Sequence, residues 1–247
     1  MLYAETISKS YGERNVLSEV SLSVEAGSAC VVIGPSGSGK STLLRCIGLL
    51  EPADMGAMTL DGKKYSLIAD RKRMDPPWPD LTVVFQQHFL WPHLTLSENI
   101  SLPLERRMSK PEIRRTMGEL IELFDMADFI RRYPNEASVG QRQRVALARA
   151  FALRPRYILL DEVTSSLDVE QIEKLFRHLV VLLSSGIGMV IVTHLLGFAK
   201  AIIAAAPKSS IVFLDGGRIT ESGGRELLES PPPGRMSEFI ARMQLAS

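Results

Sequence analysis

Cysteine is scarce in this chain: the only two are Cys30 and Cys46. One lies in an apolar run and the other in a helical pattern, with no C-x-x-C spacing. A disulfide scaffold or a thiolate metal site is therefore not expected, and both are read as reduced core thiols. An excess of charge of one sign is also missing. Twenty-nine Lys and Arg face 28 Asp and Glu, a formal net charge of +1, so there is no global basic field to hold nucleic acid, and none is expected as a partner. Internal repeats and low-complexity tracts are absent. The opening MLYAETISKSYGE has neither the basic start nor the apolar stretch of a secretory leader, which makes a cytosolic location the expectation. From Leu179 to Ala199 there is no Asp, Glu, Lys or Arg, but Ser184, Ser185, Gly186 and Gly188 interrupt the run. It reads as a helix end, a glycine turn and a buried strand rather than a membrane span.

What the chain does have is enough apolar residue, 45%, to bury a substantial core. Residues 1 to about 28 alternate apolar and polar positions around Tyr11-Gly12-Glu13-Arg14-Asn15, like antiparallel strands joined by a turn. Ala29 to Ile33 is continuously apolar and is followed by a glycine-rich loop and a helical pattern. Further strands are expected at Met58 to Leu60, Leu81 to Phe85, Tyr157 to Leu160, Met189 to Thr193 and Ile211 to Leu214, the last closing a hairpin through Asp215-Gly216-Gly217. Strands alternating with helices imply an α/β fold with a mostly parallel sheet covered on both faces. Glu98 to Met108 and Pro111 to Phe129 are helical in period and interrupt that pattern. Pro231 to Gly234 is read as a link between two short final helices.

The chemistry starts at Gly34-Pro35-Ser36-Gly37-Ser38-Gly39-Lys40-Ser41-Thr42, which fits G-x-x-x-x-G-K-[ST] between an apolar strand and a helix. Glycines let backbone N–H groups turn inward around phosphate oxygens, and the helix N-terminus adds a favourable dipole. Lys40 is expected to reach the β- and γ-phosphates of ATP, and Ser41 to ligate Mg2+. Tyr157-Ile-Leu-Leu160 ends in Asp161 and Glu162, where an α/β sheet presents residues to a ligand. Asp161 suits Mg2+, directly or through water, and Glu162 suits an attacking water. These features define a phosphate-loop nucleotide hydrolase or kinase and no more.

Three further segments narrow the choice. Ala137-Ser138-Val139-Gly140-Gln141 leads into a long helical run from Gly140 through Ala152, Phe85-Gln86-Gln87 ends a strand, and Val192-Thr193-His194 ends another. In this order and spacing they resemble the signature motif, Q-loop and switch histidine of the ABC ATPase family, and the resemblance covers essentially the whole chain. It implies a P-loop NTPase (RecA-like) core with an N-terminal antiparallel β-subdomain and an inserted α-helical subdomain. The implied division gives 1–87 and 150–247 to the β-subdomain and catalytic core, and 88–149 to the helical subdomain. It further implies that Tyr11 stacks on adenine, that Gln86 couples Mg2+ and water to a membrane partner, and that His194 senses the γ-phosphate. Asp168 is implied to cross a dimer interface, with Ser138, Gly140 and Gln141 in the signature segment that closes over the other subunit's nucleotide. Two copies are then expected to pair around a two-fold axis, each completing the other's site.

The signature departs from the family's usual L-S-G-G-Q at Val139, where a β-branched residue is expected to restrict backbone angles and slow hydrolysis. Arg71 to Asp80 and Ala204 to Ser210 are read as long surface loops, with Trp78 a candidate partner anchor. Gln86 to Ile100 with Thr193 to Ala199 resembles the ATPases of polar amino acid importers. That implies permease subunits in a membrane, an extracytoplasmic solute-binding protein, and a peripheral position on the cytoplasmic face. Phe89 to Pro92 then either receive a permease helix or cap the helical insert. An exporter of lipid, lipoprotein or drug, a soluble ABC ATPase and a small-molecule kinase are the other readings.

Overall fold

The computed structural model describes residues 1–68 and 77–245; the greater part of the expected loop at Arg71 to Asp80 lies outside them. The chain opens with β1 (Leu2–Tyr11) and β2 (Arg14–Val24), the expected hairpin, then β3 (Ala29–Ile33) and α1 (Lys40–Ile47). Next come β4 (Met55–Leu60), β5 (Lys63–Ser66) and β6 (Leu81–Val84). Three helices follow, α2 (Leu96–Ser101), α3 (Lys110–Leu123) and α4 (Val139–Ala152). Then β7 (Tyr157–Asp161), α5 (Val169–Ser184), β8 (Gly188–Val192) and α6 (Leu196–Ala205) alternate. The chain finishes with β9 (Ser210–Asp215), β10 (Arg218–Gly223), α7 (Glu226–Glu229) and α8 (Arg235–Leu245).

Among the described residues the strands form two sheets, ordered β2-β1-β4-β5 and β10-β9-β3-β8-β7-β6. The first is antiparallel; the second is parallel from β9 to β6, with β10 antiparallel at its edge. The period-2 alternation of β3 shows why a continuous apolar run was needed. Ala29, Val31 and Ile33 enter one core with the helices, while Cys30 and Val32 enter another with α1 and the first sheet. Both faces of the parallel sheet are thus buried. Burial pushes the Cys30 and Cys46 thiols up to about 11, as suits inert core residues. The uncharged run resolves into the end of α5, a turn at Gly186 and β8. No helix among the described residues is long and apolar enough to cross a membrane.

The helical segment differs from the sequence reading in its boundaries. Thr95 caps α2 through a capping box with Glu98, and the helix stops at Ser101, yielding to a 3-10 turn at Leu102–Leu104. Pro103 explains the stop, since it lacks an N–H and crowds the carbonyl four residues back. Helix α3 ends at Leu123, short of Phe129. Asp125 adopts a left-handed φ of 49°, and the Met126 and Asp125 amides turn back to the Ile121 and Glu122 carbonyls, the six-to-one and five-to-two closure of a Schellman motif. The expected loop from Ala204 to Ser210 is shortened to residues 206–209, its ends belonging to α6 and β9. Its Ser209 is buried, with Oγ accepting from the Ala29 amide at 2.8 Å.

Candidate active site

The loop from Gly34 to Gly39 joins β3 to α1, so a central strand aims it and a helix N-terminus closes it. Gly39 holds φ at 105°, and a Cβ there would meet the Val16 carbonyl oxygen at 2.8 Å. Glycine is required both by the angle and by the close approach of β2. No side chain caps α1, which leaves its first amides available to an anion. Lys40 is buried, and its Nζ donates to the carbonyls of Gly34 and Pro35, each at 2.8 Å. Burial lowers its pKa, opposed by the charges of Glu162 and Asp161. The buried Ser38 Oγ has no partner. A cradle with free amides, a cation satisfied only by its own loop and an orphaned hydroxyl fits a polyphosphate.

Two carboxylates stand at the end of β7. Asp161 Oδ1 accepts from Ser41 Oγ at 3.0 Å. Burial raises the Asp161 pKa, and the Ser41 hydrogen bond opposes the rise. A hydroxyl and a carboxylate are hard oxygen donors of the kind Mg2+ takes, and Mg2+ fills its remaining octahedral positions with water and phosphate oxygens. The described residues contain no cluster of three or more His, Cys, Asp and Glu residues suited to a metal. Glu162 adopts a left-handed φ of 48°, and its amide donates to the Val192 carbonyl at 3.0 Å. For a residue with a Cβ this conformation costs about 1–2 kcal/mol, a strain typical of functional positions. Glu162 Oε2 lies 3.8 Å from His194 Nδ1.

Glu162, the phosphate loop and the first hairpin line an open cleft of about 510 Å3. Tyr11, half exposed, forms its outer wall with Lys9 Nζ 5.2 Å from the ring centroid. Arg14 and Val16 also line it. Neither was expected from the sequence, although Arg14 pairs with Tyr11 across the hairpin, a register that could have pointed to it. Gln86 reaches the same region. Its Nε2 donates to Ser165 Oγ at 2.8 Å, and that hydroxyl donates to the Glu162 carbonyl at 3.0 Å. A second opening of about 480 Å3 lies behind the loop between His194 and α8, with Arg235 and Arg242 on its wall.

Ser138, Gly140, Gln141 and Asp168 line a separate cavity of about 170 Å3. Ser138 is the N-cap of α4: its Oγ accepts from the Gln141 amide at 3.2 Å, and the Gln141 side chain accepts from the Ser138 amide at 3.0 Å. The first helical residue is therefore Val139 rather than Gly140. Val139 lies outside the left-handed region, so the restriction expected from its β-branch does not arise, and only its bulk beside Ser138 remains. A Cβ at Gly140 would lie 2.4 Å from Gln171 Oε1, so a side chain there would displace that of Gln171. Asp168 caps α5, accepting from the Gln171 amide at 2.9 Å and from Gln171 Nε2 at 2.6 Å. Gln171 was missed in the sequence, where an acidic N-cap followed three residues later by Gln was its signal.

A strand, a phosphate loop, a helix and a paired acidic strand end define a P-loop nucleotide-binding ATPase. Comparison with known proteins sharpens that class. The family model described as ABC transporter matches residues 17–165, and the chain belongs to that family. It is 40% identical to the glutamine transport ATP-binding protein GlnQ of Escherichia coli (strain K12), over 97% of this chain and 98% of that protein. It is 37% identical to the arginine transport ATP-binding protein ArtM of Bacillus subtilis (strain 168), over 98% of this chain and 100% of that protein. Among solved structures it is similar to the dimeric ATP-binding cassette MJ0796 in a post-hydrolysis state bound to ADP and Pi, at a TM-score of 0.80 and 33% identity, covering 91% of this chain and 99% of that one.

Proposed function

We propose that this chain is the ATP-hydrolysing subunit of an importer for a polar amino acid or a similar small solute. Two copies would pair around a two-fold axis so that each supplies Ser138 and Gly140 to the nucleotide on the other's phosphate loop. The observation that supports the reading is that the phosphate loop and the Ser138–Gly140 segment line two different cavities of one chain. In the proposed reaction, Tyr11 stacks on the base and the loop amides and Lys40 hold the phosphates. Ser41 and Asp161 would hold Mg2+, which supplies charge neutralisation at the phosphate oxygens. Glu162 orients a water and accepts its proton as the water oxygen bonds to the γ-phosphorus and the bond to the ADP oxygen breaks. His194 contacts the γ-phosphate, Gln86 positions the water side of the site, and Ser138 donates to the transferring phosphoryl from the partner.

The segment 88–149 acts in this scheme as the helical subdomain, and 1–87 with 150–247 as the β-subdomain and core. Leu50, Trp78, Phe85 and Trp91 line an apolar groove of about 420 Å3, the surface we assign to a short helix of the permease. Of the residues expected either to receive that helix or to cap the helical insert, Trp91 lines the groove, Leu90 packs on the helical core and Phe89 is exposed. The chain would then sit on the cytoplasmic face of the membrane and serve an extracytoplasmic solute-binding protein indirectly. The test is isolation of the native complex from membranes. Importer permease subunits and a solute-binding protein among its companions are expected; an exporter permease would replace this reading with the export one.

A further inference from the structure

The segment that follows Gln86 is strained and heavily fastened. Phe89 adopts a left-handed φ of 46°, a conformation that persists for such a residue only where its surroundings over-determine it. Helix α4 provides most of that constraint. The Arg149 guanidinium forks onto two carbonyls, Nη2 donating to His88 at 2.8 Å and Nη1 to Phe89 at 2.9 Å. One helical face along, the Gln143 side chain meets His88 Nε2 with Oε1 at 2.6 Å. Gln143 is 2% exposed, and its Nε2 has no partner. On the other flank, buried Asn99 accepts from the Trp91 amide at 2.8 Å and donates to the Trp91 carbonyl at 3.1 Å. The Arg149 guanidinium also stacks 5.2 Å from the Trp91 ring centroid.

A buried amide with one end unsatisfied costs stability, and a left-handed phenylalanine adds strain, so fold stability alone does not account for this arrangement. What it accomplishes is mechanical. Gln86 lies two residues before His88, and Ser138 lies one and a half turns before Gln143 on the same helix. We propose that Gln143 and Arg149 are positioning residues that clasp the strained His88–Phe89 turn to α4, so that Gln86 and the Ser138 end of the helix move as one body when two copies close on ATP. The inference rests on the proposed pairing of two copies, and it concerns how the donor helix is aimed rather than whether it donates.

The test uses the full chain carrying Glu162→Gln, in which hydrolysis is slowed and the ATP-bound pair accumulates. ATP-driven dimerisation is followed by sedimentation, with ADP affinity and thermal midpoint measured in parallel. ADP binding reports the phosphate-loop half alone. Gln143→Leu, which removes the orphaned amide along with the contact, and Arg149→Lys, which keeps the charge but not the fork, are each expected to weaken dimerisation about tenfold. ADP affinity should stay within about twofold. Gln143→Glu keeps an acceptor for His88 and should dimerise within about threefold of the parent. Dimerisation as tight as the parent's in both Gln143→Leu and Arg149→Lys would overturn the clasp, as would a loss that ADP affinity follows in proportion. Failure of the Glu162→Gln parent to dimerise at all would instead remove the pairing on which the proposed function stands.

Discussion

The phosphate-loop face and the face formed by the starts of α4 and α5 are built on opposite principles. On the first, polar groups wait: Lys40 bonds only to its own loop, Ser38 has an unpaired hydroxyl, and Glu162 is held in strain. On the second, the helix-capping groups are already engaged, with Ser138 and Gln141 capping each other and Asp168 holding its own helix and Gln171, while Gln171 Oε1 and Gln143 Nε2 lack a partner among the described residues. The first face is prepared to receive a ligand. The second carries a helix start whose cap is already finished by the protein's own groups, with Ser138 exposed. The difference lies in the helix starts: α1 has no side-chain cap and leaves its first amides open to an anion, whereas α4 is capped by its own chain before any partner arrives.

The comparison breaks most severely at Glu162. Glu162→Gln should lower the hydrolysis rate by about 10^2- to 10^4-fold while leaving ADP affinity unchanged, as a phosphate-release assay with nucleotide titration would show. Ser138→Ala should cost about 10^2-fold without affecting ADP binding, because the lost donor serves the other copy. Mixing these two inactive variants is the sharper test. In a mixed pair both lesions fall in one site and the other site is intact, so random pairing should restore about a quarter of parental activity; no recovery would mean that each copy works alone. Val139→Gly removes bulk beside Ser138 and should raise the rate a few-fold, at a cost to α4 of about 0.5–1 kcal/mol. An unchanged rate would acquit Val139.

The smallest effect concerns the body that carries the finished face. His178 on α5 is buried against the Phe124 ring at 4.9 Å, with Nδ1 unpaired. Burial lowers its pKa below the ordinary 6.5, Asp125 opposing the shift while Arg144 and Arg177 reinforce it. The unfolded chain therefore takes up the proton first: the stabilisation is complete above pH 6.5 and is lost as pH falls toward the lower folded value. His88, also lowered by burial, acts in the same direction. Thermal midpoints at neutral and mildly acid pH should show a shallower acid loss in His178→Phe than in the parent, and identical slopes would contradict this origin.

Much of the fold was legible because it is local. The apolar runs at Ala29–Ile33, Tyr157–Asp161 and Gly188–Val192 could only be buried on both faces, and the glycine-rich loop could only follow one of them. Strand β5 escaped notice because Lys63 and Lys64 give an edge strand a polar, unpatterned sequence. The early end of α3 was hidden because helical periodicity continues past Asp125, whose left-handed turn is closed by backbone bonds that no side-chain pattern advertises. The order of motifs pointed to Gly34–Thr42, Asp161 and Glu162, but not to the strain at Glu162. Arg14 and Gln171 acquire their positions from cross-strand register and from packing between helices, neither of which a single linear pattern contains.

The self-satisfied Lys40 also bears on selectivity. Its ammonium must exchange two carbonyl contacts for whatever enters the cleft, and an uncharged nucleoside has nothing to offer in return. Discrimination should consequently scale with the number of phosphates on the ligand rather than with the identity of its base, making the phosphate loop its own gatekeeper against the far simpler molecules that share adenine.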